Sequence, residues 1–414
     1  MHFTALLAIL PLGSALVVRS GGLTNIDAAD GRYVVKIKGD STNVDKVIKS
    51  VSANTDHLYN HVFNGWAGKL TADQVKKLQH HPDIEAVEVD DFFKANYAEG
   101  ESFSYEEGLP DGEEYGKTST GQSTEFAPWM ASSKKRAVQK KAPWNLARIS
   151  NKKAGKNTYT YDKAAGTGTC VYVLDSGIET THPGFQGRAK FLKNFVDGSD
   201  SDEAGHGTHV AGIIGSSNYG VAKNTTLYAV KVTDAGRGLK SDLIAALDFV
   251  VKDAPTRACP KGVVVNISNG GFFSRLVNDA ARKVFRAGYF VAAAAGNAEL
   301  PAMKFSPASE TTVCTVGAID QKDAFADYSN YGPAVKVLAP GTNVTSLWRG
   351  GGIKVASGTS MASPHVAGLG AYYLSFAVEK IDLCNYITQT ALKGVVKMGA
   401  RTDTPNLLIN NRKL

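Results

Sequence analysis

The segment CVYVLDSG (170–177) is an unbroken apolar run that stops at an aspartate, a serine and a glycine. A strand apolar on both faces is buried on both faces, and such strands belong to parallel sheets covered by helices. Outward from it, TLYAVKVTD (226–234), GVVVNISNGG (262–271), YFVAAAAGN (289–297) and VKVLAPG (335–341) repeat the pattern. The amphipathic stretches SDLIAALDFVVKDA (241–254) and LVNDAARKVFRAG (276–288) lie between them. This alternation predicts an α/β fold with a mainly parallel central sheet and helices on both faces, a three-layer body. Polar residues at the C-terminal strand ends, Asp175 and Asn297 among them, stand where such folds place their sites.

The chain has 414 residues, 43% of them hydrophobic and 21% charged, which excludes a disordered protein and leaves room for more than one domain. FTALLAILPLGSALVV (3–18) is apolar, too short to span a bilayer comfortably, and offers Gly13 and Ala15 at cleavage spacing. It reads as a signal peptide over residues 1–15 rather than a buried first strand or helix, so a secreted, extracellular protein is expected. No later segment approaches membrane length, and no membrane partner is expected. Residues 1–136 hold 14 Lys and Arg against 19 Asp and Glu, whereas 137–414 hold 32 against 20. An acidic front piece thus complements a basic body. No basic helix or aromatic stacking array supports nucleic-acid binding. Cys170, Cys259, Cys314 and Cys384 lack metal-ligand spacing and favour two disulfides in an oxidising compartment; three pairings are open.

In the front piece, YVVKIKG (33–39), FNGWAGKL (63–70) and IEAVEVDDFF (84–93) read as strands. A helix beginning near Val44 with Ser41 or Thr42 as cap, and another over 71–81, separate them. This makes a small α+β module over 16–95. Residues 96–136 form an acidic linker, with eight carboxylates against Lys117 before it ends in SSKKR (132–136), a basic processing site. Cleavage after Arg136 gives a mature chain beginning at Ala137, and self-cleavage near Asn96 followed by trimming is the alternative.

A serine hydroxyl needs a base to take its proton, and the base needs a carboxylate to fix its tautomer. DSG (175–177) supplies the carboxylate, GHGTHVAG (205–212) a histidine at a helix start, and GTSMASPHVAG (358–368) a serine at another helix start. Helix starts favour developing negative charge. The order Asp175, His206, Ser360, with AAAAGN (292–297) between, resembles the subtilisin-like serine proteases, and within them the fungal proteinase K-like group. The resemblance runs over most of 142–410, through APWNLARIS, YGVAKNTTLYAVKV, CPKGVVVNIS, FSPASE and SNYG. The front module is similar to that family's inhibitory prodomain, of ferredoxin-like fold.

The resemblance implies a serine endopeptidase of broad specificity made as a zymogen, acting on proteins and peptides, with peptidase domain 137–414 and its own prodomain as inhibitor and folding aid. It implies Ser360 as nucleophile, His206 as general base, Asp175 as its orienting carboxylate and Asn297 as oxyanion-hole donor. Ser357, Ser363, His209 and His365 are then framework. The substrate is expected to pair as an extended strand with Gly236, Arg237 and Gly238 on one side and Ser268, Asn269 and Gly270 on the other. Ala294, Ala295 and Gly296 line the pocket for the residue before the scissile bond, P1.

Asn269 stands where the family usually has Leu, and Arg237 replaces a small residue. Arg237 is therefore expected to reach an acidic P2 or P4 side chain, and Asn269 to make the P4 floor less welcoming to a large apolar group. The family's calcium positions carry Lys336 and Val395, so neither ion nor any other cofactor is expected. The implied disulfides are Cys170–Cys259 and Cys314–Cys384, and Val210 stands where the family has a free cysteine. Asn224 and Asn343 are glycosylation candidates; a third sequon, at Asn266, lies in a core strand. The expected assembly is a monomer. A catalytically dead subtilase serving as a binding protein is the alternative of another class. An α/β-hydrolase esterase fails for want of a G-x-S-x-G elbow.

Overall fold

The computed structural model describes residues 16–18, 31–39, 44–95, 105–106, 136–376 and 383–412. The expected signal segment 1–15, the Ser41 or Thr42 cap, most of the acidic linker and the basic residues 132–135 lie outside these.

The body is a nine-stranded sheet in the order Ala189–Asn194, Thr226–Lys231, Thr169–Asp175, Gly262–Ile267, Phe290–Ala294, Cys314–Ile319, Val337–Pro340, Leu407–Leu408, Leu392–Lys393. Every neighbouring pair is parallel except the last. Side chains alternate across it, as the pleat requires. Val171 and Val173 share a core with α3 (Trp144–Ser150), α4 (His206–Gly215) and α7 (Thr359–Leu374), while Tyr172 and Leu174 share one with α5 (Lys240–Asp253) and α6 (Arg275–Arg286). All sixteen residues of α7 are buried. Disulfides join Cys170 to Cys259 and Cys314 to Cys384.

The front module is a five-stranded sheet of β1 (Leu16–Val18), β2 (Arg32–Ile37), β3 (His57–Tyr59), β4 (Gly65–Lys69) and β5 (Ile84–Val89), in the order β1-β5-β2-β4-β3. Against it pack α1 (Val44–Val51) and α2 (Ala72–Gln79) around Val35, Ile37, Val47, Trp66, Leu78 and Val87. The Thr71 hydroxyl accepts the Gln74 N–H and the Gln74 side chain accepts the Thr71 N–H, a capping box that fixes the start of α2. The three-residue β1 and β3 are too short to carry a readable alternation.

The run 84–93, expected as one strand, is two. It breaks at Asp90 and Asp91, which turn to the start of α5: Asp90 accepts the Ser241 N–H at 2.9 Å and Asp91 binds the Lys240 ammonium at 3.1 Å. Beyond the break, β6 (Phe92–Ala95) leaves the module and inserts antiparallel between Arg237–Leu239 and Asn269–Phe272 of the body. The Arg136 end of the body is also strand: Arg136–Gln139 pairs with Tyr159–Asp162, Arg136 exposed and Ala137 buried. A protease cutting after Arg136 therefore has to peel that strand end first.

Candidate active site

Asp175 ends a buried strand and His206 opens α4. The His206 Nδ1–H donates to Asp175 Oδ1 at 2.6 Å, and the Ser176 N–H donates to the same oxygen at 2.8 Å. The glycines around the histidine are steric requirements. Gly205 has φ of 81°, and a Cβ there would sit 2.5 Å from the Trp348 ring. A Cβ on Gly207 would overlap the Gly177 carbonyl. Burial alone would push the His206 imidazole down, but the Asp175 carboxylate outweighs it by charge and hydrogen bond and Asp202 adds to it. The imidazole therefore holds its proton more tightly than an ordinary histidine.

Ser360 is the second residue of α7, fully buried, its hydroxyl donating to the Ser268 carbonyl at 2.8 Å. Its backbone N–H lies in the first turn, where a helix has donors to spare. Asn297 lies alongside. Its Oδ1 accepts the Thr359 N–H at 2.9 Å and the Thr359 hydroxyl at 2.7 Å, which fixes the amide's orientation. Asn297 Nδ2 is buried without a hydrogen-bond partner among the described residues. A donor left over beside a serine at a helix start is what a developing oxyanion requires.

Ser363 donates to Asn266 Oδ1, Asn266 Nδ2 to the Ser268 hydroxyl, and that hydroxyl to the Ser360 carbonyl. Asn266 is fully buried in this chain of bonds. Two histidines of the motifs sit apart. His209 Nε2–H faces the Val344 and Lys354 carbonyls, and burial pushes its pKa down to about 3. His365 lies between the Met361 carbonyl and the Asn145 amide, pushed down by burial to about 4.

Ala294, Ala295 and Gly296 continue the strand beside Asn297. Gly296 has φ of 103°, its N–H donates to the Thr359 hydroxyl, and a Cβ there would overlap the Asn330 amide. Asn330 braces this wall by donating to the Ala295 carbonyl and accepting the Ala298 and Leu300 N–H groups. Neither Thr359 nor Asn330 stood out in the sequence, because their roles depend on what the fold brings beside them.

The cleft holds β6. In register, Lys94 faces Arg237 and Gly270, Phe93 faces Gly238, and Ala95 faces Asn269. Phe93 is 2% exposed, in a slot that exists because residues 238 and 271 are glycines. One expectation needs correction. Asn269 does not floor that slot: its side chain turns under the strand, fully buried, and donates to the Leu174 carbonyl at 2.8 Å. The Arg237 guanidinium covers the Phe92 ring, 4.8 Å from its centroid, and β6, with Phe93, Lys94 and Ala95 beside it, offers it no acidic side chain.

The two positions named for calcium hold side chains without a carboxylate. Lys336 brings an ammonium, and Val395 packs against the apolar cluster of Ile319, Val335 and Leu338. Among the described residues no three His, Cys, Asp or Glu side chains converge as a metal site. The Asn224 amide is exposed but donates to the Lys163 and Ala165 carbonyls, and Asn343 is exposed.

The model of the subtilase family matches residues 166–412, and that of the peptidase inhibitor I9 family matches 32–96. The chain is 57% identical to Proteinase T of Parengyodontium album over 277 residues, 66% of this chain and 94% of that protein. It is 39% identical to the cuticle-degrading protease of Metarhizium anisopliae, covering 99% of this chain and all of that one. The crystal structure of a cold adapted subtilisin-like serine proteinase superposes with a TM-score of 0.61 at 35% identity, covering 66% of this chain and 98% of the other.

Proposed function

From the premise that the chain belongs to the subtilase family, and is a serine endopeptidase carrying its own inhibitor domain, we propose that Ser360, His206 and Asp175 cut the bond. The Ser360 hydroxyl turns from the Ser268 carbonyl to His206 Nε2, gives up its proton and attacks the substrate carbonyl. The oxyanion of the tetrahedral intermediate takes the Ser360 N–H and Asn297 Nδ2. The imidazolium, held by Asp175, returns the proton to the leaving amine, and water repeats the sequence on the acyl-enzyme.

The observation that carries this reading is the unpaired Asn297 amide beside Ser360, with the 2.6 Å His206–Asp175 bond alongside. Ser360→Ala is expected to fold normally and to lose at least about 10³-fold in kcat together with fluorophosphonate labelling. Undiminished casein hydrolysis by that variant overturns the assignment. Because Asp175 raises the imidazole's proton affinity, the acid limb of the pH profile should lie above the ordinary histidine value.

The register of β6 also bears on self-processing. The described ladder ends at the Ala95–Asn269 pair, and the residue preceding Asn269 is Ser268, whose carbonyl accepts the Ser360 hydroxyl. The first cut then falls after Asn96, with Phe93 as P4, and removal of the linker up to Arg136 follows. The inhibitor module thus acts as a tethered substrate analogue until released. The mature enzyme is read as secreted and monomeric, free of calcium at Lys336 and Val395, and glycosylated at Asn343 in preference to Asn224, whose amide is already engaged.

A further inference from the structure

Asp202 is a buried carboxylate four residues before the helix that His206 opens, and the triad leaves it without a role. The N-cap of α4 is Gly205, which offers no side chain to the helix start. Asp202 supplies what is missing. Its Oδ1 accepts the Gly205 N–H at 2.8 Å, and its Oδ2 accepts the Thr208 N–H at 2.7 Å and the Thr208 hydroxyl at 2.6 Å. The remaining bond leads towards the triad: the Ser176 hydroxyl donates to Asp202 Oδ1 at 2.7 Å, and the same hydroxyl accepts the Gly207 N–H at 2.9 Å. Ser176 is the residue whose N–H holds the triad oxygen of Asp175. One carboxylate therefore fixes both the peptide behind Asp175 and the turn that carries His206.

We propose that Asp202 is a positioning residue of the catalytic site, acting through Ser176 and the first turn of α4 to hold the His206 imidazole on Asp175 and to enrich the site in negative charge. The proposal rests on the triad reading above. The charged and titratable groups around this network are few. Asp175 ends the neighbouring strand, and His209 lies one turn along α4, neutral at working pH. Lys231 spends its ammonium on the Ser199 and Ser201 carbonyls, with Asp234 at 3.7 Å, while Glu203 next to Asp202 is exposed. Lys231 thus anchors the loop without neutralising Asp202 by direct pairing.

Asp202→Asn keeps the shape, removes the charge and turns one acceptor oxygen into a donor facing other donors, and the full chain carrying it is allowed to mature before assay. The expected result is a fall in kcat of at least about tenfold with KM changed less than about twofold, since a misaimed base affects the transition state. The acid limb of kcat should also move to lower pH, by about half a unit, because removing a nearby negative charge weakens the imidazole's hold on its proton.

Val284→Ala, in the core of α6 far from the site, serves as a stability control and should lower Tm without moving the limb. If Asp202→Asn lowers Tm but keeps the wild-type kcat and limb, Asp202 is only a helix cap and the proposal is wrong. If Asp202→Asn does not fold, Ser176→Ala, which removes one hydroxyl of the network, carries the test: an unmoved limb and kcat overturn the proposal. Retained activity in His206→Ala is a separate result, and it refutes the triad reading instead.

Discussion

The helices α5 and α6 each have two working sides. Towards the central sheet they bury Leu243, Ile244, Leu247, Leu276, Val277 and Val284. Towards the inhibitor module the same helices offer charge and backbone around an apolar patch that receives Val34, Tyr59, Val62, Ala67 and Ala86 of the module. Asp242 meets His57 at 2.9 Å, Asp248 accepts the N–H groups of Asn60, His61 and Val62, and Asp279 meets Lys36 at 2.8 Å. The module answers with Glu88, which accepts the Ser274 hydroxyl and the Leu276 N–H at the start of α6. An apolar face cannot be returned to water cheaply, whereas donors and carboxylates can exchange partners with it. The sheet side is held by apolar burial, and the module side by polar partners around a smaller apolar patch, which makes it the easier of the two to vacate.

Adjacent residues put this contrast to a sharp test. Leu247→Ala opens a cavity in the fully buried sheet side and should lower the stability of the mature peptidase by about 2–5 kcal/mol. Its inhibition by the separately added module should be unchanged. Denaturant unfolding and inhibition titration measure the two. Asp248→Ala should do the reverse, leaving unfolding nearly unaltered while three module N–H groups lose their acceptor. The expected loss of inhibitor affinity is thirtyfold or more, about 2 kcal/mol. If Leu247→Ala weakens inhibition as much as Asp248→Ala does, the two sides are not independent.

The body and the module interface should also answer pH with opposite signs. His209 and His365 are held neutral in the body, with pKa values near 3 and 4, whereas an unfolded chain protonates them below about 6.5. Between those limits the unfolded state binds more protons, so peptidase stability falls as pH drops. At the interface, burial raises the pKa of Glu88 and, likewise, of Asp90 above the usual carboxylate range. The complex then binds more protons than the separated module. Affinity should therefore fall as pH rises from the ordinary carboxylate values through the raised ones, by at most about tenfold per unit for each proton. Glu88→Gln should flatten that slope. A slope identical to wild type would place the linkage elsewhere.

The sequence made the body far more legible than the cleft's occupant. Doubly apolar strands ending at Asp175 and Asn297, with glycines forced by close approach around His206, imprint themselves on local composition. β6 carries no such mark. DDFF looks like the tail of an alternating strand, and only the body's two edge segments give it a different partner. Asn269 points elsewhere than its position suggests for a related reason. Substitution against a family pattern says that a side chain is different, but not which way it points. Asn269 turns inward because the Leu174 carbonyl is there to receive it.

The smallest effects lie in the cleft, where the occupant is designed to leave. Phe93 is buried against Gly238 and Gly271, so peptide anilides sharing one P1 residue should be cut faster with Phe than with Ala at P4. About tenfold in kcat/KM is expected, since open-cleft burial realises part of the roughly 1.5–3 kcal/mol of a fully buried aromatic. Glu at P4 should be worst, because the slot is walled by Gly238 and Gly271 while Arg237 lies one residue further out, over Phe92. Arg237→Ser should accordingly leave the P4 ratios alone and lower only the preference for an aromatic residue at P5. An exposed cation–π contact contributes about 0.5–1 kcal/mol, at most about sixfold in rate. If Glu is favoured at P4 and loses that advantage in Arg237→Ser, the guanidinium swings into the slot once the module has gone. The resting position of β6 is then a poor guide to substrate binding, and the module side of the molecule rearranges on release rather than merely being vacated.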